Sequence, residues 1–158
     1  SASRGVADII SCAQYIKPLS VVLPLDFSPN GKDEKGNELV SANWVFYHAS
    51  QYLGTLKPLI ILDNYEANVG YFPLIWNPHT NPYIYLAKDE GIEGQPPFAD
   101  LAAYRQTSGV TVNYIVMWCY DSSFLRNDHF RQFYGEINAG YNKIYTSASG
   151  RTVLFEKR

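Results

Sequence analysis

The chain has 158 residues, 46% hydrophobic and 18% charged, with a net charge of −2. That length gives one domain with enough apolar residues to bury a core, and it excludes a disordered chain. The near-neutral charge, with no basic stripe, excludes nucleic acid as the main partner, and no apolar run reaches the roughly 20 residues of a membrane span.

In chain order, Val6, Ile9, Ile10, Ala13 and Ile16 recur at helical spacing, predicting an amphipathic helix over residues 4–16 with Asp8 favouring its dipole. Lys17-Pro18 stops it. Leu19–Leu25 reads as a strand closed by Asp26, with Pro24 requiring an edge or a bend because proline donates nothing to a ladder. Ser28–Glu38 is a polar, glycine-punctuated loop at the place where a dinucleotide fold carries GxGxxG. Neither that fingerprint nor a Walker A sequence is present, so no cofactor is expected. Ser41 suits an N-cap for a second helix whose face carries Trp44, Tyr47, His48, Gln51 and Tyr52, with Gly54 as its C-terminal stop. On that mixed aromatic face His48 reads as a packed or surface histidine rather than a ligand or base.

Pro58–Leu62 forms a second strand, again followed by an acid, Asp63. From Asn64 to Pro97 the chain holds Tyr65, Tyr71, Phe72, Trp76, Tyr83 and Tyr85 among five prolines, without helical periodicity. Such a stretch is a functional loop or a proline-shaped cover; Tyr71–Trp76 within it is a candidate edge strand. A short helix follows at Phe98–Gln106, with Leu101, Ala102 and Tyr104 as buried contacts.

The longest apolar run, Val110–Asp121 (VTVNYIVMWCYD), is dense in β-branched and aromatic residues and predicts a central strand buried on both faces over Val110–Cys119. Phe130, Phe133, Tyr134, Ile137 and Tyr141 then mark a helix with Asp128 as its N-cap. Lys143–Tyr145 and Thr152–Phe155 form a terminal hairpin about the Ser149-Gly150 turn. The fold expected is α/β: three layers, with a mostly parallel central sheet flanked by helices and a C-terminal antiparallel β-hairpin. Cys12 and Cys119 lack CxxC spacing and read as buried free thiols.

If the three strands are parallel, Asp26, Asp63 and Asp121 emerge on one sheet edge, where open α/β folds place ligands. With Glu66 they form a candidate acidic rim for a divalent cation or for paired acid–base work; asparates after strands also simply cap turns. Nothing resembles GxSxG, HExxH or an EF-hand loop. Tyr71, Trp76 and His79, in a segment restricted by Pro78 and Pro82, are expected to line a concave ligand surface beside Asp63 and Glu66, the rival being Trp76 as a core plug.

Asn113–Trp118, the following helix, then Tyr141-Asn142-Lys143-Ile144-Tyr145, Ser147, Gly150-Arg151 and Val153–Arg158 resemble the tails of some bacterial polytopic glycosyltransferases; the first helix, Pro18 and the strand Val21–Leu25 resemble the start of that tail domain. The resemblance implies an extracytoplasmic domain following the last transmembrane helix, and a chain that is a piece of a longer membrane protein. The family's catalytic acids lie in its membrane bundle, so no catalytic residue carries over. The implied role is a non-catalytic accessory domain binding glycan or the membrane portion of its own parent. The alternative is a small free-standing enzyme acting on sugars through Asp26, Asp63, Asp121 and His79.

Overall fold

The computed structural model describes residues 2–33, 35–40, 45–64, 66–85 and 99–158. Expectations placed on Ser41, Trp44, Tyr65 and residues 86–98 lie outside the described residues. The chain folds as α1 (Ala2–Ile10), β1 (Val21–Asp26), α2 (Leu53–Leu56), β2 (Ile60–Ile61), α3 (Leu101–Ser108), β3 (Tyr114–Trp118), α4 (Asp128–Gly140), β4 (Tyr141–Thr146) and β5 (Thr152–Lys157), with short 3-10 turns between. One five-stranded sheet runs in the order β2-β1-β3-β5-β4.

The expected mostly parallel sheet is corrected here. β1 pairs in parallel with β2 and β3, but β3–β5 and β5–β4 are antiparallel, and these make up most of the ladder. Two causes combine. β2 contributes only Ile60 and Ile61, far less than the apolar Pro58–Leu62 suggests, and the C-terminal hairpin, which extends the sheet as expected, adds two antiparallel ladders along the β3 side.

β3 is central and every residue from Tyr114 to Trp118 is buried. Its alternate side chains feed two apolar clusters. Ile115 and Met117 join Leu23, Leu25 and Phe155 against α3 and α4 through Tyr104, Phe130, Phe133 and Ile137. Tyr114 and Val116 join Val22 and Leu154 against Cys12, Ala13, Ile16 and Leu53 on the other face. Burying each such side chain stabilises the fold by about 1.5–3 kcal/mol.

Pro24 sits inside the sheet, paired with Val116. Its backbone faces the β2 side, as do Ser20 and Val22, whose carbonyls accept from Ile60 and Leu62. β2 has ended by then, so the missing N–H removes no ladder bond. The first helix is α-helical only to Ile10 and tightens to 3-10 over Ser11–Tyr15. Asp8 does not serve the helix start: its Oδ2 accepts from Ser147, Ser149 and Thr152, tying α1 to the terminal hairpin.

The second predicted helix is also corrected. Its described part is a turn, a 3-10 segment over Ala49–Tyr52 and the single turn of α2, with Gly54 inside α2 rather than after it. Tyr71–Trp76 forms no strand. α4 is capped by Asn127, whose side chain accepts from the Phe130 N–H at 3.0 Å, rather than by Asp128. α3 begins at Asp100, which caps Ala103, and stops at left-handed Gly109; Ala102 is exposed while Tyr104 is buried.

Candidate active-edge site

Parallel pairing of β1 with both neighbours sets the carboxyl ends of β2, β1 and β3 on one side of the sheet. Asp26 closes β1 opposite Trp118 and is 8% exposed. One of its oxygens accepts the Ser28 N–H at 2.8 Å; the other has no hydrogen-bond partner among the described residues. Burial pushes its carboxyl up to about 7, the Ser28 N–H opposing and the charge of Asp63 adding to the rise.

Asp63 lies just past β2 and is 3% exposed. Four side chains converge on it. His48 Nδ1 stands 3.2 Å from both carboxylate oxygens, Tyr83 Oη donates to Oδ1 at 2.9 Å, and Ser50 Oγ reaches Oδ2 at 3.5 Å. Gln51 Nε2 donates to the Asp63 carbonyl at 3.0 Å. A carboxylate only accepts, so the imidazole holds a proton on Nδ1 in this contact. Burial disfavours charging the His48 ring, but the Asp63 bond and charge, with the charges of Glu66 and Asp26, outweigh it and hold the imidazole above its ordinary value. His48 also lines an open depression of about 410 Å³ with Val45, Ala49, Gln51, Tyr52 and Thr55.

The structure thus brings Asp26, Asp63 and the field of Glu66 together around His48. Asp121 is placed differently. It is exposed, caps the turn at 122–126 through the Ser123 N–H at 2.8 Å, and that contact holds its carboxyl below the usual range with Lys32 and Arg126 as its basic neighbours. Glu66 is half-buried on the turn Glu66–Asn68. His79 is exposed, its backbone N–H bonded to Asn77 Oδ1 at 3.0 Å, and Tyr71 is 84% exposed. Among the described residues no group of three or more His, Cys, Asp and Glu is placed to hold a metal ion.

Trp76 is half-buried and donates from Nε1 to the Asn64 carbonyl at 3.1 Å, next to Asp63, while its backbone bonds Ala67. It anchors the aromatic segment beside the site. Trp76→Ala is expected to cost about 1–3 kcal/mol, between a surface change and a core deletion, measured by denaturant midpoint. A loss near 5 kcal/mol would identify a core plug instead. The thiols are not activated: burial pushes Cys12 up to about 12 and Cys119 up to about 11.

Sequence reasoning passed over His48, Ser50 and Tyr83 as site residues. The available signal was weak: a polar His-x-Ser-Gln run ending 12 residues before Asp63. Compared with protein-family models, with curated proteins and with solved structures, the chain matches none.

Proposed function

We propose that the chain is a non-catalytic accessory domain of a larger membrane-associated, glycosyltransferase-like protein, on the extracytoplasmic side, and that it docks on the membrane portion of that protein. One observation carries the reading. Tyr71, Phe72, Leu74 and Ile75 are 84%, 37%, 61% and 75% exposed, one next to another along the chain. Scattered exposed apolar residues are ordinary, but a contiguous run of this kind marks a contact surface. Pro73 restrains the backbone within the run, so less ordering entropy is lost when it is covered. No helix among the described residues is long and apolar enough to cross a membrane, which fits a domain that supplies the contact and not the span.

The test is co-purification with the parent's membrane portion in detergent. Leu74→Ser with Ile75→Ser should change stability by no more than about 0.5 kcal/mol per site while abolishing association. Association that survives the double substitution would sink the docking role.

A second reading, a small enzyme acting on sugars, draws on the His48–Asp63 contact. A buried carboxylate orienting a part-exposed imidazole is the arrangement a general base needs. In this reading His48 takes the place that the sequence offered to His79. Sugar-hydrolysing activity lost in His48→Gln and retained in His79→Gln would favour it over the accessory role.

A further inference from the structure

We propose that the loop leaving β1 is a divalent-cation site of the calcium type, built from the side-chain oxygens of Asp26, Ser28 and Asn30. The site does not depend on the docking role. Asp26, Ser28 and Asn30 occupy alternate positions in Asp26-Phe27-Ser28-Pro29-Asn30-Gly31 and are 8%, 1% and 8% exposed. Each carries a buried oxygen without a hydrogen-bond partner: Asp26 Oδ2, Ser28 Oγ and Asn30 Oδ1. Native proteins rarely leave buried polar atoms unpaired, because each costs about 1–3 kcal/mol. A fourth such atom, Trp118 Nε1 beside Asp26, is a donor and stands apart; the three oxygens all offer lone pairs within five residues and form the set that one cation could share. A proton on Asp26 would serve one of them.

Among the described residues no lysine or arginine bonds these oxygens, although the charge of His48 does act on Asp26. Lys32 lines a separate surface cavity with Asp33, Cys119, Asp121 and Arg151, and the His48 Nδ1 is turned to Asp63. A cation would also offset the repulsion between the buried Asp26 and Asp63. The loop is fixed before any ion arrives. Gly31 N–H bonds the Ser28 carbonyl at 2.9 Å, Leu39 N–H bonds the Gly31 carbonyl at 3.0 Å, and Phe46 N–H bonds the Pro29 carbonyl at 3.1 Å. Gly31 has φ 64°, and a Cβ there would lie 2.7 Å from Phe46 Cε2, so only glycine fits.

The donor chemistry selects the ion. One carboxylate with neutral hydroxyl and amide oxygens is a hard, all-oxygen set that suits Ca²⁺, whose coordination is flexible, better than Zn²⁺, which wants nitrogen or sulfur. The spacing matches the opening half of an EF-hand loop, with oxygens at its first, third and fifth positions and glycine at its sixth. Its closing bidentate glutamate is missing: that position is Asn37, whose amide bonds Asp33. Affinity is therefore expected in the weak range, about 10⁻⁴–10⁻³ M.

The experiment uses the chelator-treated wild-type chain, titrated with CaCl₂ by calorimetry and with Tb³⁺ by luminescence. Trp118, which shares the wall of a small cavity with Asp26, is the sensitising ring. One saturable site is expected, weakened about tenfold or more by Asn30→Ala and left unchanged by Asp121→Asn. Wild-type protein giving neither heat nor a shift in thermal midpoint at about 10 mM Ca²⁺, well above that range, would overturn the site. So would binding that Asp121→Asn removes and Asn30→Ala leaves intact, since the ion would then sit on exposed acids.

Discussion

Asp63→Ala is expected to destabilise the fold by about 3 kcal/mol, read from the denaturant midpoint. Removing one member of a buried ion pair costs about 3–5 kcal/mol because its partners keep their desolvation penalty. Here Tyr83, Ser50 and His48 would all lose their acceptor. The His48 side chain is 31% exposed and can turn partly to water, which puts the cost at the lower end of that range. Asp63→Asn keeps one carbonyl acceptor and should cost less, about 1–2 kcal/mol. The asparagine variant also has a signature that packing alone would not produce. Without the Asp63 charge, burial dominates at His48 and its titration should move to lower pH, followed by NMR of the ring. An unmoved His48 titration would mean that the contact carries no energy, and a His48→Ala/Asp63→Asn double-mutant cycle would then show no coupling.

The parts of the fold that were legible in the sequence are those whose neighbours are local or whose burial is complete. β3 is buried on both faces, so its apolar run needs no knowledge of register. α4 repeats its apolar residues at helical spacing and the terminal hairpin follows its turn. β2 reads longer in the sequence than it is, for the opposite reason. Ile60 is 54% exposed because β2 meets only Val21 and Val22 at the sheet edge, and an apolar residue at an edge looks the same in sequence as one in the core. Whether β5 enters beside β3 or beyond it depends on pairing energies between distant segments, which no local pattern encodes.

The site divides in the same way. Asp26 and Asp63 were marked by the strands they close, and the parallel β1 ladders put them on one edge as that marking requires. Asp121 carries the same local mark and differs only in being turned outward to cap Ser123. His48 faces Asp63 through a turn and a 3-10 segment; on the expected α-helix its side chain would have been assigned by a different periodicity. The three loop oxygens of Asp26, Ser28 and Asn30 were hidden because the spacing they follow lacks its last residue.

In metal-free buffer, stability is expected to fall as pH rises from about 4 to beyond 7, with Asp26 as the main cause. Its folded carboxyl lies near 7 against an ordinary value of 3.8, so the folded chain holds a proton that the unfolded chain has released across this window. A raised folded value contributes stability that is fully present below the unfolded value and lost as pH passes the folded one. Three pH units at 1.36 kcal/mol each make this roughly 4 kcal/mol. His48, also held above its ordinary value, adds a slope of the same sign above about pH 6.5. The lowered carboxyls of Asp33, Asp121 and Glu156 act in the opposite sense below about pH 4, but all lie at the surface where solvent screens them. Asp26→Asn cannot ionise and should therefore be more stable than the wild type at pH 8, with the difference shrinking and reversing toward pH 4. Denaturant midpoints of the two proteins across pH 4–8 measure it. Parallel profiles would show that Asp26 is ionised in the folded chain throughout, its buried charge already compensated by the surrounding dipoles.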